Sequence, residues 1–470
     1  MTVAIRTRDP DTGTMDRGAR RRPGRSARLA VGASIAAVSL AVSGGLALAV
    51  GEEPAAGRGE GSPEFVAVVA TDLHYLAPGL NDGGAAFERF QDGGDGKETA
   101  RAPAILDAFI REIAALGPDF LVLTGDLTNN GEKASHLEMA EKLRGIEASG
   151  VEVLVVPGNH DVANPWARRF SGEAQYAAEG LSAAGFARVY RDFGYGQALS
   201  RDPGTLSYVA APAPGLRLLM LDANLYDRNA ASGRPAREGR IAEGTMKWIE
   251  AQLTRARAEG ARTIAALHHS VLDHSDRIVR GYTLDNGAEV ARLLWRLGVR
   301  IVLTGHVHIQ DASAMAFETG TLYDIATNAL SVHPHQYGVL RGNPSSGRAE
   351  YATARVDVSA WARASGSADP YLLDFARRSE AAFRARAAAM VGFASADPSL
   401  SPAQAASMAQ AMGTLNLRYF AGREYLNAAD LAGSEGYRLL IARPGAFLAD
   451  YAASILADPG TDDNELRVAY

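Results

Sequence analysis

The chain has 470 residues, 47% hydrophobic and 22% charged, which excludes collagen-like, coiled-coil and wholesale disordered classes and leaves a globular protein too long for one simple core. It contains no cysteine, so disulfides, thiolate metal sites and a cysteine nucleophile are excluded, and any metal must be held by His, Asp, Glu or Asn. The formal charge of −6 is uneven: residues 1–28 hold eight arginines against three aspartates, a net of +5, which leaves −11 on the remainder. An acidic body argues against tight nucleic-acid binding, which needs a basic stripe.

In chain order, the basic stretch leads into residues 29–50, a run without charge. This is the layout of a secretory signal or an N-terminal membrane anchor, and Ala47-Leu48-Ala49 offers a small-residue cleavage site. The run is longer than the usual ~7–15-residue signal core and close to the ~20 residues that span a bilayer. Residues 1–51 therefore read as a cleaved signal peptide or a retained anchor, tethering the chain through residues 29–50 in the second case. Either way the protein is expected to be exported, secreted or held at the cell envelope. Residues 52–63 read as a flexible linker.

Beyond the linker, residues 64–71, 119–124 and 151–156 predict strands, with helices over 100–116 and 135–148 between them. Residues 205–210 and 216–222 predict a strand pair. A helix over 239–259, a strand over 262–267, a helix over 287–297 and a strand over 299–304 follow. Residues 313–317 and 321–326 read as a closing hairpin. Short apolar strands alternating with amphipathic helices predict an α/β core with at least partly parallel sheets. From about residue 360 the chain becomes alanine-rich, and 370–391, 401–421 and 434–456 read as helices, Ser401-Pro402 opening the second. The expected organisation is a core over 64–358 and a helical C-terminal domain over 359–470. Residues 75–99 form a Gly- and Asp-rich stretch expected to be a lid or disordered. The aromatics of an insertion over 162–200 read as a small core.

Polar clusters fall where the predicted strands end. They are Asp72-Leu73-His74, Gly125-Asp126-Leu127-Thr128-Asn129, Gly158-Asn159-His160-Asp161, His268-His269 and Gly305-His306-Val307-His308. In open α/β sheets ligands collect at the carboxyl ends of strands, so the clusters are expected to converge. Carboxylates and neutral imidazoles are the donors a pair of hard-to-borderline cations needs. In D-x-H an extended segment would point both side chains one way, and the same holds for His306 and His308. Glycines at 125, 158 and 305 are expected to let the backbone turn sharply out of each strand. Of ten histidines, five sit in these clusters and a sixth, His269, adjoins them. One cluster alone signals little; all five in this order signal a great deal.

The set D-x-H, G-D, G-N-H-D, H and G-H-x-H resembles the calcineurin-like metallophosphoesterase superfamily over about residues 64–330. Stretches such as GDLTNNGEKASH, GNHDVANP, LHHSVLDHS and TGHVHIQD are similar to bacterial exported members related to the cyclic-nucleotide phosphodiesterases. The resemblance implies a four-layer α/β/β/α sandwich, here with a C-terminal helical extension. It implies two divalent metal ions, of Mn, Fe, Zn or Mg. Asp72, His74 and His308 would hold one, Asn159, His268 and His306 the other, and Asp126 would bridge them. His160 would face the substrate and Asp161 would orient it. Family members with paired histidines mostly use the first, which favours His268 over His269. Asn129 stands where purple acid phosphatases carry tyrosine, and Asn129-Asn130-Gly131 lacks the arginine of the protein phosphatases. The implied activity is hydrolysis of a small-molecule phosphodiester by a hydroxide bridging two metals. A phosphomonoesterase of the same fold and a non-catalytic surface-binding module are the alternatives. His136, His274, His333 and His335 are read either as packing residues or as neighbours of the site.

Overall fold

Val-, Leu- and Ala-rich runs buried on both faces form the central strands, the pattern expected of parallel strands covered on each side. The computed structural model describes residues 64–442, 446–458 and 462–470. The leader and linker readings over 1–63 lie outside the described residues. In chain order the strands are β1 (Phe65–Ala70), β2 (Phe120–Thr124), β3 (Glu152–Val156), β4 (Arg168–Ser171), β5 (Ala174–Ala177), β6 (Ser200–Arg201), β7 (Tyr208–Ala210), β8 (Leu216–Leu221), β9 (Arg262–Leu267), β10 (Ile301–Thr304), β11 (Asp311–Phe317), β12 (Gly320–Ala326), β13 (Gln336–Asn343), β14 (Arg348–Arg355) and β15 (Glu465–Ala469).

They build two large sheets and a hairpin. The first sheet runs β15-β14-β13-β1-β2-β3 and the second β11-β12-β10-β9-β8-β7-β6, with β4 and β5 paired separately. Strands β1, β2 and β3 are parallel, as are β8, β9, β10 and β12. The two parallel sets carry the motif-bearing strand ends.

One apolar cluster joins both sheets, with Leu121 and Leu154 from the first and Leu218, Ile264 and Ile301 from the second. Ile105 and Phe109 of helix Ala102–Leu116 and Met139 and Leu143 of helix Lys133–Glu147 belong to it. On the other face of the second sheet, Leu219, Leu221 and Val302 pack against Ile249 and Leu253 of helix Glu243–Ala258 and Val290 and Leu294 of helix Gly287–Arg296. The layers are therefore helix, sheet, sheet, helix, the expected sandwich with its C-terminal helical extension.

Helices Phe375–Ala389, Pro402–Phe420, Glu435–Ile441 and Phe447–Leu456 make up most of that extension. Ser401 and Gln404 close a reciprocal capping box at the start of the second. Met412, Leu415, Tyr419 and Tyr451 pack on Val307 and Ile309, so the extension rests on the segment that carries His306 and His308. The helix expected over 434–456 is two helices, and the sequence places Pro444-Gly445 between them. Among the described residues no helix is long and apolar enough to cross a membrane.

The sequence reading contains no strand at β13, β14 or β15. Alanine, glycine and charged residues give these segments little β propensity, and pairing onto β1 decides their conformation instead. The region after residue 358 is thus not purely helical, because β15 returns to the first sheet. Residues 75–99 hold a helix, Ala85–Asp92, whose Phe87 packs with Leu76 and Phe170. Phe186, Tyr190, Phe193 and Tyr195 of the 162–200 insertion are buried in the main core, whereas Trp166 and Tyr176 are exposed.

Candidate functional site

Each motif begins one to three residues beyond a strand. Asp72 follows β1, Asp126 follows β2, Asn159 follows β3, His268 follows β9 and His306 follows β10. The backbone there is not extended, which corrects the expectation for D-x-H. Asp72, His74, Asp126, His306 and His308 all have left-handed φ, between +45° and +68°. A non-glycine residue in this region costs on the order of 1 kcal/mol, so the surroundings must enforce it. Segment 328–331 does part of this. Leu330 N donates to Thr71 O, Ser331 Oγ donates to Asp72 O at 2.7 Å, and Asn328 Nδ2 donates to His308 O at 2.7 Å.

The glycines serve two purposes. Only Gly125 uses a positive φ, +95°. Gly158 and Gly305 permit close approach instead: a Cβ would lie 2.1 Å from Asp126 Oδ1 in the first case and 2.0 Å from Thr71 Oγ1 in the second.

The structure brings the expected residues together around two buried carboxylates. Asp126 Oδ2 lies 3.5 Å from His268 Nε2, 3.6 Å from His74 Nε2 and 4.0 Å from His160 Nε2. Asp72 Oδ1 lies 3.2 Å from His308 Nε2 and 3.6 Å from His74 Nε2. His74 Nε2 and His308 Nε2 face each other at 3.3 Å. Asn159 Oδ1 lies 3.2 Å from His268 Nε2. Ligand atoms of Asp126, His268 and His306 also fall within 4.8 Å of one another. His269 stands beside this group, its Nε2 3.0 Å from Arg237 O.

Carbonyls fix the rings from behind. His268 Nδ1 donates to Thr124 O at 2.9 Å, which turns Nε2 inward. His306 Nε2 donates to Gly281 O at 2.8 Å, which leaves Nδ1 for the cluster. His160 Nδ1 lies 2.9 Å from both Asn129 O and Asn130 Oδ1.

Asp161 does not orient His160, contrary to expectation. Its carboxylate accepts from the backbone amides of Leu127, Thr128 and Gly158 and from Thr128 Oγ1, and so ties the second motif to the third. The His160 ring is set by Asn129 and Asn130. His136 contributes from behind, its Nε2 donating to Asp161 O at 3.0 Å.

The electrostatics are those of a cluster built around positive charge. Burial acts to raise Asp126, yet His268 and His160 outweigh it and hold the carboxyl well below its usual range. Asp72 behaves alike, with His308 the main opposing group. Burial works against charge on His268, but Asp126 pulls it up to about 9. His74 is pushed down to about 3 by burial and by Lys97, so it is neutral. Asp72 Oδ1 and His74 Nδ1 have no hydrogen-bond partner among the described residues. At that distance the two imidazole nitrogens either share one proton or, with both protons on Nδ1, turn two lone pairs and the Asp72 oxygen onto one point, where a cation would be held. A divalent cation of the Mn, Fe, Zn or Mg group suits such a mixed nitrogen and oxygen donor set.

Three neighbours were not legible as site residues. Lys97, a single lysine in the Gly- and Asp-rich stretch, lies close enough for its charge to lower both His74 and His160. Asn130 lies beside the second motif without being one of its candidate ligands, and segment 328–331 carries no motif signal at all. His274 lies away from the cluster, between Asp311 and Asp324. His335 is a packing residue, with Nδ1 on Leu330 O and Nε2 on Ser379 Oγ, and it fastens the bracing segment to the extension.

Comparison with known proteins follows the same division. Residues 65–310 match the calcineurin-like phosphoesterase family, and residues 357–462 match the C-terminal domain of cyclic nucleotide phosphodiesterase. The chain is 28% identical over 204 residues to a cAMP/cGMP dual specificity phosphodiesterase of Mycobacterium tuberculosis, covering 42% of this chain and 50% of that protein. It is 23% identical over 256 residues to a Rhodococcus erythropolis protein named "Probable cyclic nucleotide phosphodiesterase", covering 54% and 68%. The match thus spans half the length of the mycobacterial relative. Among solved structures it is similar to a dimetal phosphatase from Danio rerio, with a TM-score of 0.46 and 16% identity over 62% of this chain and 96% of that one. The matched stretch runs from the first strand of the sandwich through all five motifs, and the chain belongs to the calcineurin-like phosphoesterase family.

Proposed function

We propose that this chain is a metal-dependent phosphohydrolase acting on small phosphodiesters, and that it works outside the cytoplasm. The gathering of His74, His160 and His268 within 4.0 Å of one buried carboxylate oxygen, on Asp126, carries the reading. Asp72, His74 and His308 would hold one divalent cation, Asn159, His268 and His306 a second, with Asp126 shared. When bound, such cations supply Lewis acidity towards phosphoryl oxygens and lower the pKa of water.

The chain's own residues supply position and charge. The carbonyls behind His268 and His306 fix which ring nitrogen faces inward, so no reorganisation is needed when substrate arrives. His160 is the accessible member, with a side chain 20% exposed. Its Nδ1–H is held by Asn129 O, so Nε2 can donate to a phosphoryl oxygen or hand a proton to the leaving oxygen only when His160 carries a second proton, which burial opposes and Asp126 favours. Lys97 lies on the side of His74 and His160, paired with Asp95 at 3.3 Å, and the two bring opposite charges to this side of the cluster.

The match over 357–462 and the names of the relatives favour a diester, of the cyclic nucleotide class, over a monoester. The basic residues 1–28 and the uncharged run 29–50 support export, with the leader cleaved or kept as a tether.

The test is hydrolysis of bis(p-nitrophenyl) phosphate, p-nitrophenyl phosphate and cyclic AMP with Mn²⁺, Fe²⁺, Zn²⁺ or Mg²⁺, for wild type beside Asp126→Ala and His160→Ala. Diester turnover lost in both variants is expected. Turnover of neither ester class with any metal refutes the reading, and turnover of the monoester alone replaces it with a monoesterase. A reporter fused behind residues 1–63 that stays in the cytoplasm would end the export proposal.

A further inference from the structure

A second group of buried carboxylates lies where the C-terminal extension meets the core. Asp311 opens β11, three positions beyond His308. Glu424 lies in the turns after helix Pro402–Phe420, and Asp463 just before β15. Asp311 is more than a hundred positions from the other two in the chain, yet one carboxylate oxygen from each lies within 4.8 Å of the others. Exposure is 5% for Asp311 and 3% for each of the other two. Glu424 Oε2 and Asp463 Oδ2 have no hydrogen-bond partner among the described residues.

Among the described residues, His274 is the group that forms an ion pair with the cluster, through Asp311, and it is shared with Asp324. Buried carboxylates without a partner are costly, and convergent ones more so. Two arrangements relieve them: shared protons, or a cation.

We propose that Asp311, Glu424 and Asp463 form a site for one hard divalent cation, Ca²⁺, Mg²⁺ or Mn²⁺, which clamps the C-terminal extension onto the core. The donor set is oxygen only, the preference of this class of ion and unlike the imidazole-rich motif cluster. Three carboxylates on three separate segments are joined by an ion in a way that protons on one pair cannot match. Neighbouring contacts converge on the same place. Gln310 Nε2 donates to Asp463 O at 2.8 Å, Gln310 N donates to Phe420 O, and Asn464 Nδ2 donates to Gly422 O. Burial pushes Glu424 up to about 9 and Asp463 up to about 7, so without an ion these groups take up protons near neutrality. Binding a cation would release them. The inference does not depend on the proposed hydrolysis.

The experiment uses the full chain, stripped with chelator, dialysed separately against Ca²⁺, Mg²⁺ or Mn²⁺, and assayed by elemental analysis and thermal melting. The chains are wild type, Asp72→Ala/Asp126→Ala and Glu424→Gln/Asp463→Asn. The second chain is expected to keep one ion that raises its melting temperature. The third is expected to hold one ion fewer than wild type and to lose that rise. Should the third chain not fold, Tb³⁺ added to the second gives the answer. Emission excited through Tyr419, whose hydroxyl reaches His274 O at 3.3 Å, is expected and should be quenched by Ca²⁺. No ion on the second chain, no sensitised emission, or an unchanged ion count on the third overturns the proposal and leaves a proton-sharing acid pair.

Discussion

The molecule gathers buried carboxylates in two places, and it builds them differently. At the motif cluster, Asp72 and Asp126 are surrounded by imidazoles, held on left-handed backbone and reached from outside through His160. At the junction, Asp311, Glu424 and Asp463 are carboxylates with one imidazole, on ordinary backbone, and closed off. Backbone strain, ring nitrogens fixed by carbonyls and partial access belong to a site that must position a reacting group. Oxygen donors without strain or access suit a fastening. Burying carboxylates is therefore not in itself a sign of catalysis; what surrounds them tells the two apart.

The largest expected effect would break the comparison outright. Asp126→Ala removes the carboxylate shared by the motif cluster, and diester turnover under saturating Mn²⁺ should fall by about 10³-fold or more. A variant that keeps its rate would put the motif cluster on the same footing as the junction. His160→Ala should lower kcat by about 10²-fold while bound metal, counted by elemental analysis, stays unchanged. If metal is lost with it, His160 is a ligand rather than the group facing substrate.

Smaller effects sharpen the contrast. Gly158→Ala drives a Cβ into Asp126 and should destabilise the fold by about 1–3 kcal/mol in urea denaturation. A neutral outcome would mean that the cluster has slack and that its strained ligands are not held tightly. The last prediction concerns pH. Burial holds His335 at about 3 and His136 at about 4 in the folded chain, both below the ordinary value of about 6.5. The unfolded chain therefore binds more protons in acid. The stability these residues contribute is complete above about pH 6.5 and is lost as pH falls below it, at on the order of 1 kcal/mol per pH unit for each. Denaturation at pH 7, 6 and 5 should show this slope, and His335→Gln should flatten it. An unchanged slope would remove His335 from the bracing assigned to it.

Much of this was legible in the sequence because the motifs follow strands of unusually plain composition. FVAVVA, FLVLT and RTIAAL can hardly be anything but buried strands, and the polar residue after each is exposed to notice. What could not be read depends on long-range pairing. Strands such as RAEYATAR owe their conformation to a neighbour, and Asp463 meets Asp311 only once β15 has docked. The role expected of Asp161 failed for a related reason: a carboxylate next to His160 in sequence faces three backbone amides in space. Left-handed ligands escaped notice because motif spacing carries no information on φ.

One feature of the first sheet bears on how the protein is made. Strand β14 pairs on one side with β13, which closely precedes it in the chain, and on the other with β15, which is synthesised more than a hundred residues later. During translation the sandwich can assemble while that flank of β14 offers unpaired amides and carbonyls to any passing strand. A ribosome stalled within the helical extension would release a chain whose five motifs are complete but whose sheet is unsealed. Chaperone demand and self-association should therefore peak late in synthesis rather than early.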